Sequence, residues 1–144
     1  MLYLGADHNG FQLKQQLKTF LNKKKVKYED CGAFQYNKTD DYPDFAFAVG
    51  KKVGPQDLGV LFCGSGHGMV IAANKLKGVR AIMPLNADSA RDGRRDDHAN
   101  VLVMAAWECN MTTTKKILQA FLSTKPGKHP RYLRRLDKIK KIER

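Results

Sequence analysis

Short apolar runs alternate along this chain with segments whose apolar residues recur every three or four positions. The short runs have the length and continuous apolar character of strands buried on both faces, and the recurring spacing is that of amphipathic helices. The strands predicted from these runs are residues 2–6, 26–32, 58–62, 79–83 and 101–105. The helices predicted between and after them are residues 11–21, 43–53, 68–76, 87–94, 112–122 and 132–142.

This alternation constrains the fold more than any other feature of the sequence. Strands that alternate with helices pair in parallel, and the helices cover both faces of the sheet. We therefore predict an α/β fold with three layers, a Rossmann-like open parallel five-stranded sheet flanked by helices. The chain has 144 residues and neither a repeat nor a linker, so we expect a single domain, residues 1–144, with a C-terminal helix at about 130–142.

Composition narrows the setting in which the chain works. No apolar run approaches the about 20 residues that span a bilayer, so no membrane association is expected. The N-terminus lacks the basic and apolar regions of a signal peptide. The chain has three cysteines, Cys31, Cys63 and Cys109. An odd number of widely spaced cysteines argues against a disulfide framework or a zinc site. Reduced thiols of this kind predict a cytoplasmic protein without a bound metal.

The net charge of +12 has two interpretations. A basic surface binds nucleic-acid backbones, and it also attracts small anionic substrates. Much of the excess positive charge comes from lysines at positions typical of a solvated helix surface, such as those within residues 23–25 and 138–141. We therefore expect an anionic small molecule as the partner, and we do not expect nucleic acid.

Cys63 is the strongest candidate for chemistry, because it lies where a buried strand ends and a glycine-rich turn, residues 64–68, begins. The turn leads into a predicted helix, whose free amides and dipole stabilise negative charge. Such amides also lower the pKa of a thiol, so we expect Cys63 to be partly ionised near neutral pH. The turn lacks the lysine of a nucleotide-binding P-loop. Glycine at three alternate positions indicates a backbone that approaches a ligand closely.

Other candidates follow from their places in the predicted fold. Asp7 and His8 come directly after the first strand, where a carboxylate and an imidazole can act as acid, base or phosphate ligand, or Asp7 can simply cap the next helix. His67 lies within the glycine turn and either touches substrate or is exposed. Arg131 and Arg135 share one helix face and suit a phosphate, unless they form a solvated basic face.

Six short motifs together resemble the ribose-5-phosphate isomerase B family, which includes the galactose-6-phosphate isomerase subunits. Residues 5–14 read Gly-Ala-Asp-His-Asn-Gly-Phe-Gln-Leu-Lys, and residues 63–69 read Cys-Gly-Ser-Gly-His-Gly-Met. The other motifs are residues 41–43, 72–75, 78–80 and 99–102. The resemblance runs from residue 2 almost to the C-terminus.

The resemblance implies aldose–ketose isomerisation of a sugar phosphate, with no metal or organic cofactor. Cys63 would be the base that moves a proton between C1 and C2 through a cis-enediolate, Ser65 would relay protons between the sugar oxygens, and Asp7 would help to open the furanose ring. His8 would hold the phosphate. Further residues are implied to contact substrate or phosphate: Tyr42, Gly64, Gly66, His67, Gly68, Asp97, Arg131 and Arg135.

The same resemblance implies a homodimer, with a tetramer left open. In the family the arginines reach across the dimer, and the C-terminal helix would pack on the partner. Two positions depart from the family pattern. Asp96 occupies the place of a ring-opening histidine, so either Asp96 or His98 would complete the site. Tyr132 replaces a second histidine if Arg131 and Arg135 are the matching arginines.

An alternative alignment of this segment places Lys128 and His129 at the arginine–histidine positions. The predicted substrate pair is ribose 5-phosphate and ribulose 5-phosphate. The alternatives are a six-carbon sugar phosphate, allose or galactose 6-phosphate, and a non-catalytic relative that binds phosphorylated ligands or nucleic acid.

Overall fold

The computed structural model describes residues 1–143, and it confirms the predicted α/β class. The five strands are β1 (Leu2–Ala6), β2 (Glu29–Asp30), β3 (Leu58–Cys63), β4 (Ala81–Ile82) and β5 (Val101–Ala105). The helices are α1 (Phe11–Lys23), α2 (Tyr42–Gly50), α3 (His67–Ala73), α4 (Ala87–Asp96), α5 (Met111–Ser123) and α6 (Pro130–Lys140). All strand pairs are parallel, in the order β2-β1-β3-β5-β4.

Two apolar cores hold the three layers together, one on each face of the sheet. Alternate residues of β3 and β5 point to opposite faces, because side chains alternate along a strand. Phe62 and Met104 pack with helices α1, α4 and α5, whereas Leu61 and Val103 pack with α2 and α3. Both faces of the central strands are therefore buried, which explains why these strands read as unbroken apolar runs.

The edge strands are much shorter than predicted. The predicted strands 26–32 and 79–83 are too long. Strands β2 and β4 each pair with one neighbour, and only two residues of each form ladder pairs. Several helix ends also differ by one to three residues. The end of α3 has a local cause: the Asn74 side chain bonds the backbone of Ala81 and the carbonyl of Val70, and this stops the helix at Ala73 instead of residue 76.

The parallel register brings the ends of three strands to one edge of the sheet. Ala6 lies opposite Phe62, and Cys63 lies opposite Ala105. Gly10 lets the start of α1 press against β3, because a Cβ atom there would lie 2.4 Å from the Phe62 carbonyl carbon. Residues that follow β1, β3 and β5 therefore meet at this carboxyl edge, as expected for such folds.

The C-terminal helix α6 is loosely attached to the rest of the chain. Leu136 is its one buried residue, while Leu133 and Ile139 stay 40% and 45% exposed. The segment before it is held by a hydrogen bond from the Gly127 amide to the Arg95 carbonyl, 2.8 Å. No helix within residues 1–143 is both long and apolar enough to cross a membrane.

Candidate active site

Cys63 ends β3 with its side chain only 7% exposed. Its carbonyl accepts a hydrogen bond from the Ala106 amide at 2.8 Å, and this bond ties the glycine turn to the end of β5. The amides of Gly64 and Gly66 hydrogen-bond the thiol, and Gly66 takes a left-handed conformation with φ of 81°. Two amides of the turn thus donate to the sulfur, in agreement with the prediction that this turn presents N–H groups near Cys63.

The prediction that the pKa of Cys63 is lowered is wrong. Burial, followed by the negative charge of Asp7, raises the pKa of Cys63 from 9.0 to about 11. The hydrogen bonds from Gly66 and Gly64 act in the opposite direction, but they do not overcome these two effects. Cys63 is therefore a neutral thiol near neutral pH in the unliganded chain, because desolvation penalises its charged form.

Asp7 secures the turn before α1, although Gly10 and not Asp7 is the N-cap residue of that helix. Its Oδ1 atom accepts a hydrogen bond from the Gly10 amide at 2.9 Å, which secures the turn before α1. Its side chain is almost completely buried and also faces the Cys63 thiol. A buried carboxylate beside a buried thiol places a proton acceptor next to the sulfur.

His8 is oriented by a residue that the sequence analysis missed. The Asp40 Oδ1 atom lies 2.7 Å from His8 Nδ1 and accepts a further bond from the His8 amide at 3.0 Å. With Nδ1 bound to a carboxylate, Nε2 is the ring nitrogen available to a ligand. Asp40 lies in a polar loop 32 residues away in sequence. Its one sequence signal is its place directly before the Asp41–Pro43 motif.

Two aromatic rings occupy the space that the glycines leave open. A Cβ atom at Gly64 would lie 2.5 Å from the Trp107 ring, and one at Gly68 would lie 2.5 Å from Tyr42. The turn therefore needs glycine partly because side chains of the chain itself crowd it, a cause the sequence analysis did not foresee. Trp107 is 68% exposed and was also missed, since nothing near it in sequence suggested a role.

Within the turn, Ser65 is half-buried and close to the thiol in sequence, whereas His67 is exposed and begins α3. Tyr42 begins α2 and is 39% exposed at the same edge. The carboxyl edge thus carries most of the residues for which a substrate role was predicted: Asp7, His8, Tyr42, Cys63, Gly64, Ser65, Gly66, His67 and Gly68.

The remaining predicted residues form a second group at the end of α4 and the start of α6. The Asp96 carboxylate accepts from Arg95 Nε at 2.6 Å, and Arg95, Tyr132 and Arg135 together hold its pKa below the ordinary value. Arg131, Arg135 and Asp97 are exposed. In the alternative pair, Lys128 and His129, the histidine is used within its own chain. Its side chain accepts a hydrogen bond from the Arg131 amide and caps α6.

His98 contacts the segment that precedes α6. Its Nε2 atom lies 2.7 Å from the Gly127 carbonyl, and its backbone is left-handed with φ of 50°. His98 is therefore engaged within its own chain, while Asp96 is half-exposed beside Tyr132.

One chain does not bring the two groups together. Residues 96–98 precede β5 at the amino edge of the sheet, whereas Cys63 lies at the carboxyl edge beside Ala105. The length of a five-residue strand separates these edges, roughly 16 Å at 3.3 Å per residue. Among residues 1–143 no three His, Cys, Asp or Glu side chains cluster as metal ligands would.

Comparison with known proteins places this geometry in a family. The family model described as Ribose/Galactose Isomerase matches residues 2–139. The ribose-5-phosphate isomerase B of Mycolicibacterium paratuberculosis is 37% identical, over 99% of this chain and 91% of that protein. A probable ribose-5-phosphate isomerase B of Mycoplasma genitalium is also 37% identical, over 99% and 95% of the two chains.

Solved structures agree with the sequence matches. The crystal structure of ribose-5-phosphate isomerase B from Mycoplasma genitalium, which contains bound ribulose 5-phosphate, superposes with a TM-score of 0.93 at 37% identity and covers 99% of this chain and 95% of that one. The corresponding enzyme of Thermotoga maritima gives a TM-score of 0.91 at 36% identity, over 98% and 97% of the chains. The chain therefore belongs to the Ribose/Galactose Isomerase family, as its motifs predicted.

Proposed function

We propose that the protein interconverts ribose 5-phosphate and ribulose 5-phosphate, with Cys63 as the base. The observation that carries this proposal is a buried thiol that accepts hydrogen bonds from two turn amides and is faced by a carboxylate. Family membership and the ribulose 5-phosphate bound to the Mycoplasma genitalium enzyme support the substrate class. We place this activity in the cytoplasm, where three free cysteines are expected to stay reduced.

The central step moves one proton from C2 to C1 of the open-chain sugar. The Cys63 thiolate removes the C2 proton, the electron pair forms the C1=C2 bond, and O1 becomes an oxyanion. The amides of the glycine turn stabilise this charge. Cys63 then returns the proton to C1, while the Ser65 hydroxyl carries a proton from O2 to O1, which leaves the ketone at C2.

The raised pKa of Cys63 requires a route for the thiol proton. Asp7 is the carboxylate that faces the sulfur, and its charge is one cause of the raised pKa. Transfer of the proton from Sγ to Asp7 forms the thiolate and removes the charge that opposes it. Asp7 can then donate this proton to the ring oxygen as the C1–O4 bond of the furanose breaks. One buried carboxylate thus links ring opening to activation of the base.

We further propose that two copies of the chain form each active site. Asp96, Arg131 and Arg135 lie at the opposite edge of the sheet from their own Cys63, so they can act only on the site of a second copy. Arg131 and Arg135 would bind the phosphate together with His8 of the other chain. The part-exposed apolar residues of α6, Leu133 and Ile139, fit a helix that packs on a partner.

Between the two candidates for ring opening we propose Asp96. His98 is bonded to its own Gly127 carbonyl, whereas Asp96 is half-exposed beside Arg135. Because its pKa is lowered, Asp96 is ionised at neutral pH and can accept the proton of the C1 hydroxyl group. Its role would thus be that of a base, complementary to the acid role of Asp7.

The test is conversion of ribose 5-phosphate to ribulose 5-phosphate by the purified protein in the presence of EDTA. Cys63→Ala should remove turnover, while Cys109→Ala, which also deletes a cysteine thiol, should keep it. Parallel assays with allose and galactose 6-phosphate decide between five- and six-carbon sugars. A wild-type protein inactive on all three substrates, or an active Cys63→Ala variant, would overturn the proposal.

A mixing experiment tests the shared site separately. Cys63→Ala and Arg135→Ala subunits are each expected to be inactive as homodimers. After mixing and exchange, half of the dimers carry one intact site, so about a quarter of wild-type activity should return. No recovery, despite proven subunit exchange, would mean that each chain uses its own arginine.

A further inference from the structure

A second cavity lies at the amino edge of the sheet, on the side opposite Cys63. It has a volume of about 420 Å³, which is within the range of small-molecule sites. Four basic side chains line it, and no aspartate or glutamate of residues 1–143 does so. These four are Arg80, Arg94, His98 and Lys140.

The two guanidinium groups are positioned by backbone carbonyls. Arg80 Nε donates to the His98 carbonyl at 3.0 Å, and an Arg94 terminal nitrogen donates to the Ala99 carbonyl at 2.8 Å. Arg94 Nε is buried without a hydrogen-bond partner, and its guanidinium lies 5.6 Å from the Phe121 ring centre. Both arginines are thus held in place by neutral groups, and neither forms an ion pair among the described residues.

This arrangement is costly for the chain alone. Burial, together with the nearby charge of Arg80, lowers the pKa of Arg94. Two cations that face one cavity repel each other, and a bound anion would reverse that repulsion. The backbone that carries Arg80 is held in place, because the Asn100 side chain accepts from the Arg80 amide at 2.7 Å and donates to the Gly78 carbonyl at 2.8 Å.

Lys140 comes from α6 and lines the cavity together with the two arginines. It forms an ion pair with Asp137, one turn earlier, at 3.7 Å; both side chains are more than half exposed, so this ion pair contributes little. Since Leu136 is the one buried residue of α6, few apolar contacts hold this helix. The cavity therefore lies between the body of the fold and a weakly attached helix.

We propose that this cavity binds a small polyphosphate anion, which bridges Lys140 of α6 to Arg80 and Arg94 of the body. Arginine forks bind phosphate oxygens with two hydrogen bonds, and lysine adds a point charge. A group with two or more phosphates carries enough oxygen atoms to reach three cations. Cys63, Asp96, Arg131 and Arg135 do not line this cavity, so the proposal does not depend on the isomerase activity.

Isothermal titration of the full chain with inorganic pyrophosphate tests the affinity. The matched variants are Lys140→Glu and Lys138→Glu, which reverse one exposed charge each on the same helix. We expect Lys138→Glu to bind like wild type and Lys140→Glu to bind about tenfold more weakly or worse. Equal weakening in both variants would overturn the proposal, because it would show only general attraction to a basic surface.

NMR locates the bound anion without any substitution. Pyrophosphate should shift the amide resonances of Gly54, Gly78 and Asn100, which line the cavity, and should slow hydrogen exchange in α6. Inorganic phosphate and ADP, titrated in parallel, decide whether one phosphate suffices and whether a nucleoside is accommodated. Shifts confined to the glycine turn after Cys63 and to Arg131 and Arg135 would assign binding to the isomerase site and refute the second site.

Discussion

Replacing Asp7 with asparagine is expected to lower the pKa of Cys63 while keeping the backbone around it intact. Asparagine retains a side-chain oxygen that can accept from the Gly10 amide, so the turn before α1 stays secured. The substitution removes the negative charge beside the thiol and changes the hydrogen bond that favours its neutral form. The thiolate should therefore form more easily in this variant.

The structure sets the size of the effect. The pKa of Cys63 rises from 9.0 to about 11, which corresponds to roughly 3 kcal/mol of additional free energy for ionisation. Burial is the largest cause and persists in Asp7→Asn, whereas the charge of Asp7 is the second cause and disappears. We expect the pKa to fall by about one unit, which raises the thiolate fraction roughly tenfold at any pH well below the pKa.

The measurement is an NMR titration of the cysteine Cβ carbons in isotope-labelled protein, with Cys63→Ser used to assign the resonance. Asp40→Asn is the matched control, since Asp40 contacts His8 and is not among the groups that shift the pKa of Cys63. The reasoning is refuted if the wild-type pKa is 9.0 or lower. It also fails if Asp7→Asn and the wild type titrate together.

Three further predictions concern stability and assembly. Gly66→Ala should cost at least about 1–2 kcal/mol in urea unfolding, because φ of 81° is unfavourable for alanine and the added Cβ would clash with the Met83 sulfur; a cost near zero would contradict this. Hydrogen bonds from Lys14 and Lys18 hold the pKa of Asp30 below 3.8 despite burial. The ionised Asp30 therefore stabilises the folded state, and this contribution should be lost as the pH falls through the folded-state pKa. The Asp30→Asn variant should then lose less stability than wild type between neutral pH and acid; parallel acid-unfolding curves would exclude the effect. Ile139→Asp should turn the proposed dimer into a monomer in sedimentation, and a dimer that persists in this variant would remove α6 from the interface.

The central strands were predictable because a strand buried on both faces is an unbroken apolar run in the sequence. The bounds of β1 and β5 match the prediction, and β3 extends it only by Cys63. The edge strands were not predictable in length, because an apolar run does not show whether a strand has one neighbour or two. Their true extent depends on how far each adjacent strand continues alongside, which is a tertiary property.

The candidate site was predictable where its chemistry lies in one short segment. The thiol, the glycine turn and the Asp7–His8 pair were each located from local pattern and family resemblance. The direction of the thiol's pKa was wrong, because it depends on burial and on Asp7, 56 positions earlier in sequence. Asp40 and Trp107 were missed for the same reason: their contacts with His8 and Gly64 arise only when separate loops meet.

The two-residue edge strands have a consequence for how this basic chain can assemble. A long exposed edge offers a row of unpaired N–H and C=O groups to another sheet, and it invites uncontrolled strand addition. Here β2 and β4 present a ladder too short to template such growth. The dimer proposed above would therefore have to use other surfaces, such as that of α6, where side-chain shape and charge select the partner.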